Sequence, residues 1–226
     1  MQDFQTLFKN LETIKVIDSS IPYSEYISID LSVTSNLLAA NKPKTANEYE
    51  ELITDYLHKN KSKVAFGGYC EHRNLYERST VFNNQNTEER NIHIGLDLWI
   101  QAGTSVLAAL DGKVHSFQYN NNFGDYGPTI ILEHDLNNHK FYTLYGHLSL
   151  ESIAKLQRNQ IFKKGETLAT LGDASVNGDY APHLHFQIIL DMQDYKGDYP
   201  GVCNINALPF HKKNCPDPNL LLKIKS

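Results

Sequence analysis

The chain has 226 residues, of which 41% are hydrophobic and 21% are charged, and its formal net charge is -5. A chain of this length and composition can bury a full hydrophobic core, which excludes a wholly disordered protein. The acidic balance argues against a nucleic-acid-binding surface, where basic residues would be in excess. No apolar run approaches the ~20 residues of a membrane-spanning helix. We therefore predict a globular protein without a membrane span, with one main domain and some additional structure.

The pattern of residues 1–63 predicts a mixed, mainly helical N-terminal extension. Thr45 and Glu48 have the spacing of a capping box, in which a hydroxyl and a carboxylate begin a helix. The apolar residues that follow recur at the intervals of an amphipathic helix: Tyr49, Leu52, Ile53, Tyr56 and Leu57. We assign this stripe to core packing, and we predict a second short helix over residues 3–11.

The pattern changes at residue 64, and residues 64–226 are predicted to form one β-rich domain. Short apolar runs alternate there with clusters of glycine, asparagine and aspartate. This alternation is typical of a β-sandwich or an open, barrel-like arrangement of antiparallel sheets. The predicted fold class is therefore mainly β, with an N-terminal helical extension.

Two hairpins are predicted within this domain. Asp111-Gly112 separates the apolar runs 106–110 and 113–117, which favours a type I′ turn. The second hairpin joins residues 129–133 to residues 140–145 through Asn137-Asn138. A further strand is predicted over residues 166–171.

Two short histidine patterns stand out among the ten histidines. In one strand-like run, His93 and Asp97 share a face, with Gly95 leaving open space between them. In another, His183 and His185 share a face. Each pattern is short enough to arise by chance, and each residue alone has an ordinary structural role open to it.

A third segment strengthens the functional interpretation of these histidines. His147 follows a glycine at a strand end and indicates little alone. Together, however, the three segments supply neutral imidazoles and one carboxylate, which are ligand types that zinc prefers. They also leave two histidines for proton transfer. The combined pattern therefore favours a zinc site.

These segments resemble the LytM/lysostaphin-type zinc endopeptidases, a family of peptidoglycan-cleaving metallopeptidases with the duplicated hybrid motif fold. The matching segments, in order and spacing, are 93–97, 102–114, 145–149, 164–166 and 182–186. The resemblance implies three zinc ligands, His93, Asp97 and His185. It also implies two catalytic histidines that do not bind the metal, His147 and His183.

The function implied by the resemblance is a Zn²⁺-dependent metalloendopeptidase that cleaves peptidoglycan cross-bridge or stem peptides. Two histidines and one aspartate would leave the fourth zinc position to a water molecule, which the metal activates as the nucleophile. His147 and His183 would orient that water, accept its proton and stabilise the oxyanion, with either of them open as the base. The expected partner is a peptide or peptidoglycan substrate.

The chain also departs from this family. Staphylolytic members carry a tyrosine a few residues before the first ligand, where this chain has residues 87–90 without one. Cys70 and His72 are open either as inhibitory zinc ligands or as residues of an ordinary loop. The segments 197–202 and 215–220 resemble, more weakly, a subset of these domains that is fused to kinase-like and aminotransferase modules. That subset argues against assuming a cell-wall substrate.

Two other functions stay open. Glucose-type phosphotransferase IIA proteins share a related β-fold and an H-x-G-x-D strand, so the chain could be a phosphocarrier with a phosphorylated histidine. A non-catalytic module that binds peptide or cell wall would use the same groove without turnover. The segment 182–186 and the intact His147 and His183 favour the peptidase over both alternatives.

The cysteines and the N-terminus give weaker indications. Cys70, Cys203 and Cys215 form no C-x-x-C pair and are expected to be ordinary thiols, with a Cys203–Cys215 bridge as the alternative. The first ten residues lack the basic start and apolar run of a secretory signal. They predict a cytoplasmic protein, or a periplasmic or secreted one if the sequence is that of a mature form.

Overall fold

The computed structural model describes residues 4–74 and 89–225. Across these ranges the helices are α1 (Phe4–Lys9), α2 (Asn36–Asn41), α3 (Ala46–Lys59), α4 (Glu151–Ala154), α5 (Leu208–Asn214) and α6 (Asn219–Leu222). The strands are β1 (Tyr26–Ser28), β2 (Val64–Gly67), β3 (Ile92–His93), β4 (Leu96–Trp99), β5 (Ser105–Leu107), β6 (Gly112–Asn120), β7 (Gly127–Leu136), β8 (His139–Gly146), β9 (Ile161–Phe162), β10 (Thr167–Thr170), β11 (His183–Ile189) and β12 (Val202–Cys203). Among the described residues, every helix is too short or too polar to span a lipid bilayer.

Most of these strands belong to one large sheet. Within the described part of the chain, the sheet has eight strands in the order β1-β2-β4-β11-β8-β7-β6-β9. Neighbouring strands are antiparallel, except that β1 and β2 are parallel. Two short pairs, β5 with β10 and β3 with β12, are also antiparallel. The predicted mainly β fold with antiparallel sheets is confirmed.

The two helices predicted within residues 1–63 are present as α1 and α3, whereas α2 was not predicted. The backbone N–H of Glu48 donates to Oγ1 of Thr45 at 3.2 Å, and the N–H of Thr45 donates to Oε2 of Glu48 at 3.3 Å, which completes the capping box of α3. Ile53 of this helix is buried in a cluster with Trp99 and Ala181, so the apolar stripe packs in the core. Helix α1 confirms the short helix predicted near the N-terminus. The predicted domain boundary stays a prediction.

The hairpin between β7 and β8 is confirmed. Asn137 and Asn138 connect the two strands with φ angles of 54° and 64°. Two consecutive positive φ angles are what a type I′ turn requires, and asparagine tolerates them better than most residues. The strand predicted over residues 166–171 is also confirmed, as β10.

The hairpin predicted at Asp111-Gly112 is wrong. Strand β5 pairs with β10, whereas β6 pairs with β7 and β9. The Asp111 carboxylate accepts hydrogen bonds from the N–H of Lys164 and from Nζ of Lys163, and neither Asp111 nor Gly112 has a positive φ. The carboxylate thus anchors a distant loop, and the chain passes from one sheet to another instead of reversing.

Strands β4 and β11 carry core residues on one face and the candidate site on the other. Leu96, Leu98, Leu184 and Phe186 belong to the largest hydrophobic cluster, which also includes residues of α6 and the β5–β10 pair. The run predicted as one strand is divided into β3, which pairs with β12, and β4, which pairs with β2 and β11. The polar side chains of both strands remain together despite this break.

Candidate active site

The structure brings the five predicted site residues together from four strands. They are His93 in β3, Asp97 in β4, His147 just after β8, and His183 and His185 in β11, and each is at most 6% exposed. In the strand register, His185 lies opposite Asp97 on one side and opposite Gly146 on the other. The central position of β11 in the sheet therefore joins the histidine patterns that are far apart in sequence.

Three of these residues present ligand atoms at a metal-like spacing. Nε2 of His93 lies 2.8 Å from Nδ1 of His185. Oδ1 of Asp97 lies 3.3 Å from the first nitrogen and 3.2 Å from the second. Ligands at ~2.05 Å from a tetrahedral zinc ion are separated by about 3.3 Å, so the three atoms fit one face of such a tetrahedron.

Hydrogen bonds set the orientation of the two imidazoles. Nδ1 of His93 lies 3.0 Å from the carbonyl oxygen of Gly68, and Nε2 of His185 lies 2.9 Å from Oε1 of Gln187. Because both partners are acceptors, these nitrogens carry the protons. The lone pairs of His93 Nε2 and His185 Nδ1 therefore face each other and Oδ1 of Asp97, a buried oxygen that accepts no well-formed hydrogen bond. Three converging lone pairs are favourable only around a cation.

Arg73 is the site residue that sequence reasoning missed. Its Nη1 donates to Oδ2 of Asp97 at 2.6 Å, and the side chain is buried. Burial alone would raise the pKa of Asp97, but the guanidinium of Arg73 helps to hold that pKa well below its usual value. The carboxylate is therefore ionised. Arg73 belongs to no short motif, so no local signal indicated this contact.

Two further histidines are held as proton acceptors. Nδ1 of His147 lies 2.7 Å from the carbonyl oxygen of Asn177, and Nδ1 of His183 lies 2.7 Å from that of Ala181. Each Nδ1 therefore carries a proton, and each Nε2 keeps its lone pair. Burial lowers the pKa of both imidazoles, so both are neutral at neutral pH. The rings are centred 4.2 Å apart, and Nε2 of His183 lies 3.9 Å from Oδ1 of Asp97.

The backbone at His147 is unusual. Its φ angle is 62°, in the left-handed region that is uncommon for residues other than glycine. Its N–H donates to the carbonyl of Tyr126 at 2.8 Å, and its carbonyl accepts from Gly172 N–H at 3.0 Å. Such a conformation persists only where the surroundings hold it, and it is frequent at functional sites.

A cleft opens onto this cluster. Its lining includes Tyr49 and Ile53 of α3 together with Tyr126, Tyr180 and Tyr199. A concave, largely apolar cleft with a few converging polar groups is the usual form of a ligand site. The N-terminal extension therefore contributes directly to the surface that a substrate would contact.

The structure bears on the features in which this chain differs from the zinc endopeptidases, namely Cys70, His72 and the position of a tyrosine, and on the pairing of the cysteines. Among the described residues, the group that could hold a metal contains neither Cys70 nor His72. The backbone N–H of Cys70 bonds to the carbonyl of His93, and burial raises the pKa of the Cys70 thiol. All three cysteines are free, so the alternative Cys203–Cys215 bridge is absent. In the stretch 87–90, where staphylolytic members carry a tyrosine, residues 87 and 88 lie outside the described residues. The hydroxyl of Tyr126 lies 3.4 Å from Nε2 of His185.

Comparison with known sequences identifies relatives of this chain. Residues 91–196 match the family model described as Peptidase family M23. A Haemophilus influenzae protein named "Uncharacterized metalloprotease" is 35% identical over 95 residues, which cover 42% of this chain and 18% of that protein. The match thus spans less than a fifth of the curated relative.

Solved structures give partial matches. The catalytic domain of the antimicrobial peptidase lysostaphin from Staphylococcus simulans is 27% identical, with a TM-score of 0.37, over 54% of this chain and 80% of that chain. The catalytic domain of the prophage-encoded M23 protein EnpA from Enterococcus faecalis is 18% identical, with a TM-score of 0.37, over 54% of this chain and 83% of that chain.

Proposed function

We propose that this chain, whose residues 91–196 form a domain of Peptidase family M23, is a zinc-dependent endopeptidase. Its proposed substrates are the cross-bridge or stem peptides of peptidoglycan. The family membership confirms the resemblance to lysostaphin-type peptidases that the sequence indicates, and a relative named as a metalloprotease supports metal-dependent hydrolysis.

The single observation that carries this proposal is the convergence of three lone pairs. Nε2 of His93, Nδ1 of His185 and Oδ1 of Asp97 face one another at 2.8 to 3.3 Å. Their protons are directed elsewhere, to Gly68 and Gln187. Two imidazoles and one carboxylate form a donor set that suits zinc and leaves a position for a further ligand. His93, Asp97 and His185 would hold the ion.

When bound, zinc would lower the pKa of a coordinated water molecule towards ~7 and polarise the scissile carbonyl group. His147 and His183 are suited to the proton transfers. Each presents an unprotonated Nε2 and anchors its Nδ1 on a backbone carbonyl, so either ring can accept a proton without reorienting. The imidazolium that forms can then donate to the leaving amine. Burial excludes bulk water from both rings and strengthens their interaction with developing charge.

We place the peptidase domain at residues 64–226, with residues 1–63 as an extension. Strand β2, which begins this domain, pairs with β4 so that Gly67 lies opposite Asp97. The carbonyl of Gly68 then orients His93. Residues upstream of the family-matched span are therefore needed to build the site.

Two substitutions test the proposal in protein prepared without chelator. Asp97→Ala should abolish zinc uptake, because it removes the only anionic ligand. His147→Ala should keep about one zinc ion per chain but lose hydrolysis of purified peptidoglycan and of glycine- or alanine-rich peptides, since a general acid–base group typically contributes ~10²–10⁴-fold. Elemental analysis and product detection by mass spectrometry measure these outcomes. Wild-type protein that takes up no zinc on titration, or His147→Ala with full activity, would contradict the assignment.

The phosphocarrier alternative is not favoured by the site. His93 is 2% exposed and both of its ring nitrogens face protein atoms. A phosphocarrier histidine must be reached by a partner protein, which this burial prevents. The binding-module alternative does not explain why two further histidines are held as proton acceptors beside the ligand set.

A further inference from the structure

A buried arginine joins two carboxylates at the edge of the candidate metal site. Nη1 of Arg73 donates to Oδ2 of Asp97 at 2.6 Å, and Nε donates to Oε2 of Glu71 at 2.5 Å. The Arg73 side chain is 2% exposed, and its guanidinium lies 5.5 Å from the ring centre of Trp99. The oxygen it contacts is the one that does not face the imidazoles. Arg73 thus contacts Asp97 from outside the ligand set.

The surrounding backbone fixes the position of this arginine. Gly68 has a φ angle of 100°, and a Cβ there would lie 2.0 Å from Nη2 of Arg73. The backbone N–H of Arg73 bonds to the carbonyl of Asn91 at 2.8 Å. At the other end of the guanidinium, Oε1 of Glu71 accepts a hydrogen bond from the N–H of Leu31 at 3.1 Å. The guanidinium is therefore held on a rigid frame that includes the N-terminal extension.

We propose that Arg73 is a positioning residue for the metal ligand Asp97, an inference that rests on the proposed zinc site. The terminal torsion of an aspartate is broad and would let the carboxylate turn. The bond to Oδ2 holds it so that Oδ1 stays 3.2 and 3.3 Å from the ligand nitrogens. Glu71 balances the charge of Arg73, so the positioning contact adds little net positive charge beside a bound cation.

A planar guanidinium is required for this role. Its nitrogens bond to two separate carboxylates in a fixed geometry, whereas the single ammonium of lysine is a point charge on a flexible stem. Arg73→Lys therefore keeps the positive charge but removes the planar group that bonds to both Asp97 and Glu71. Outer-sphere partners of metal ligands typically contribute ~10–100-fold to metal affinity, and we expect Arg73→Lys to raise the zinc dissociation constant by that factor.

The test is competition for zinc between the protein and a chromophoric chelator, with circular dichroism as the check on folding. Arg158→Lys is the control, because Arg158 is exposed and does not line the cleft. Its dissociation constant should stay at the wild-type value. A second readout is the visible spectrum of the cobalt-substituted protein, which reports ligand geometry and should change only in Arg73→Lys.

Each outcome decides the inference. A wild-type zinc dissociation constant and cobalt spectrum in Arg73→Lys would overturn it, as would an equal loss of affinity in Arg158→Lys. If Arg73→Lys does not fold, Glu71→Gln weakens the same contact from its other end and should also raise the dissociation constant, while an unchanged value overturns the role. Wild-type protein that binds no zinc would instead overturn the proposed function, and this role with it.

Discussion

Gly95→Ala is the substitution that most directly tests the geometry of the candidate metal site. A Cβ at residue 95 would lie 2.3 Å from Cε1 and 2.4 Å from Nε2 of His185. Carbon atoms in contact are normally ~3.5 Å apart, so the imidazole would have to retreat by about 1 Å. Metal–ligand distances tolerate only about 0.2 Å. The backbone itself accepts alanine, because Gly95 has no positive φ angle.

We therefore expect Gly95→Ala to weaken zinc binding by more than the ~10–100-fold that loss of an outer-sphere partner costs. Chelator competition measures the dissociation constant, and chelator-treated samples compared by circular dichroism report folding. Gly103→Ala is the control, because a Cβ there meets no atom within 4 Å, although its φ angle of 80° adds backbone strain. Wild-type zinc affinity in Gly95→Ala would refute His185 as a ligand in the position described.

Two further predictions concern the protonation of His134 and the orientation of the His185 ring. Burial lowers the pKa of His134 from 6.5 to about 4. As the pH falls below 6.5, the unfolded chain therefore binds a proton at His134 before the folded chain does. The free energy of unfolding decreases over this range, down to about pH 4. In urea denaturation with chelator present, the free energy of unfolding of the wild type should fall by about 2 kcal/mol more than that of His134→Gln between pH 7.5 and pH 5. The same pH dependence of unfolding in both proteins would contradict this. Gln187→Leu removes the acceptor 2.9 Å from Nε2 of His185 and should raise the zinc dissociation constant ~10–100-fold. An unchanged chelator-competition curve would show that Gln187 does not set the tautomer of His185.

The site extends beyond the span that matches the peptidase family. Residues 91–196 contain the five predicted site residues. Two of the groups that orient the ligands, Gly68 and Arg73, lie before that span. Glu71 connects them to the N-terminal extension through Leu31. A fragment limited to the family span would therefore keep the candidate ligands and lose the contacts that hold them.

Local chemistry was sufficient to predict several features of this chain. The capping box at Thr45, the turn at Asn137-Asn138 and the β10 strand each depend on residues only a few positions apart. The alternation around His93 and His185 has the period of a strand, so the shared face of each pattern followed from the sequence. The choice of His93, Asp97 and His185 as candidate ligands came from the resemblance to the zinc endopeptidases, and the roles of these residues stay proposals.

The tertiary structure decided how these local features meet. His93 and His185 are 92 residues apart, and Gly68 orients His93 from 25 residues away. The ring nitrogen that faces the metal position depends on such distant acceptors, which no short pattern encodes. The same limit explains Arg73, whose contact with Asp97 spans 24 residues, and Asp111, whose carboxylate bonds to a loop more than 50 residues away. Strand faces repeat every second residue, whereas strand order and side-chain partners arise only when the sheet assembles.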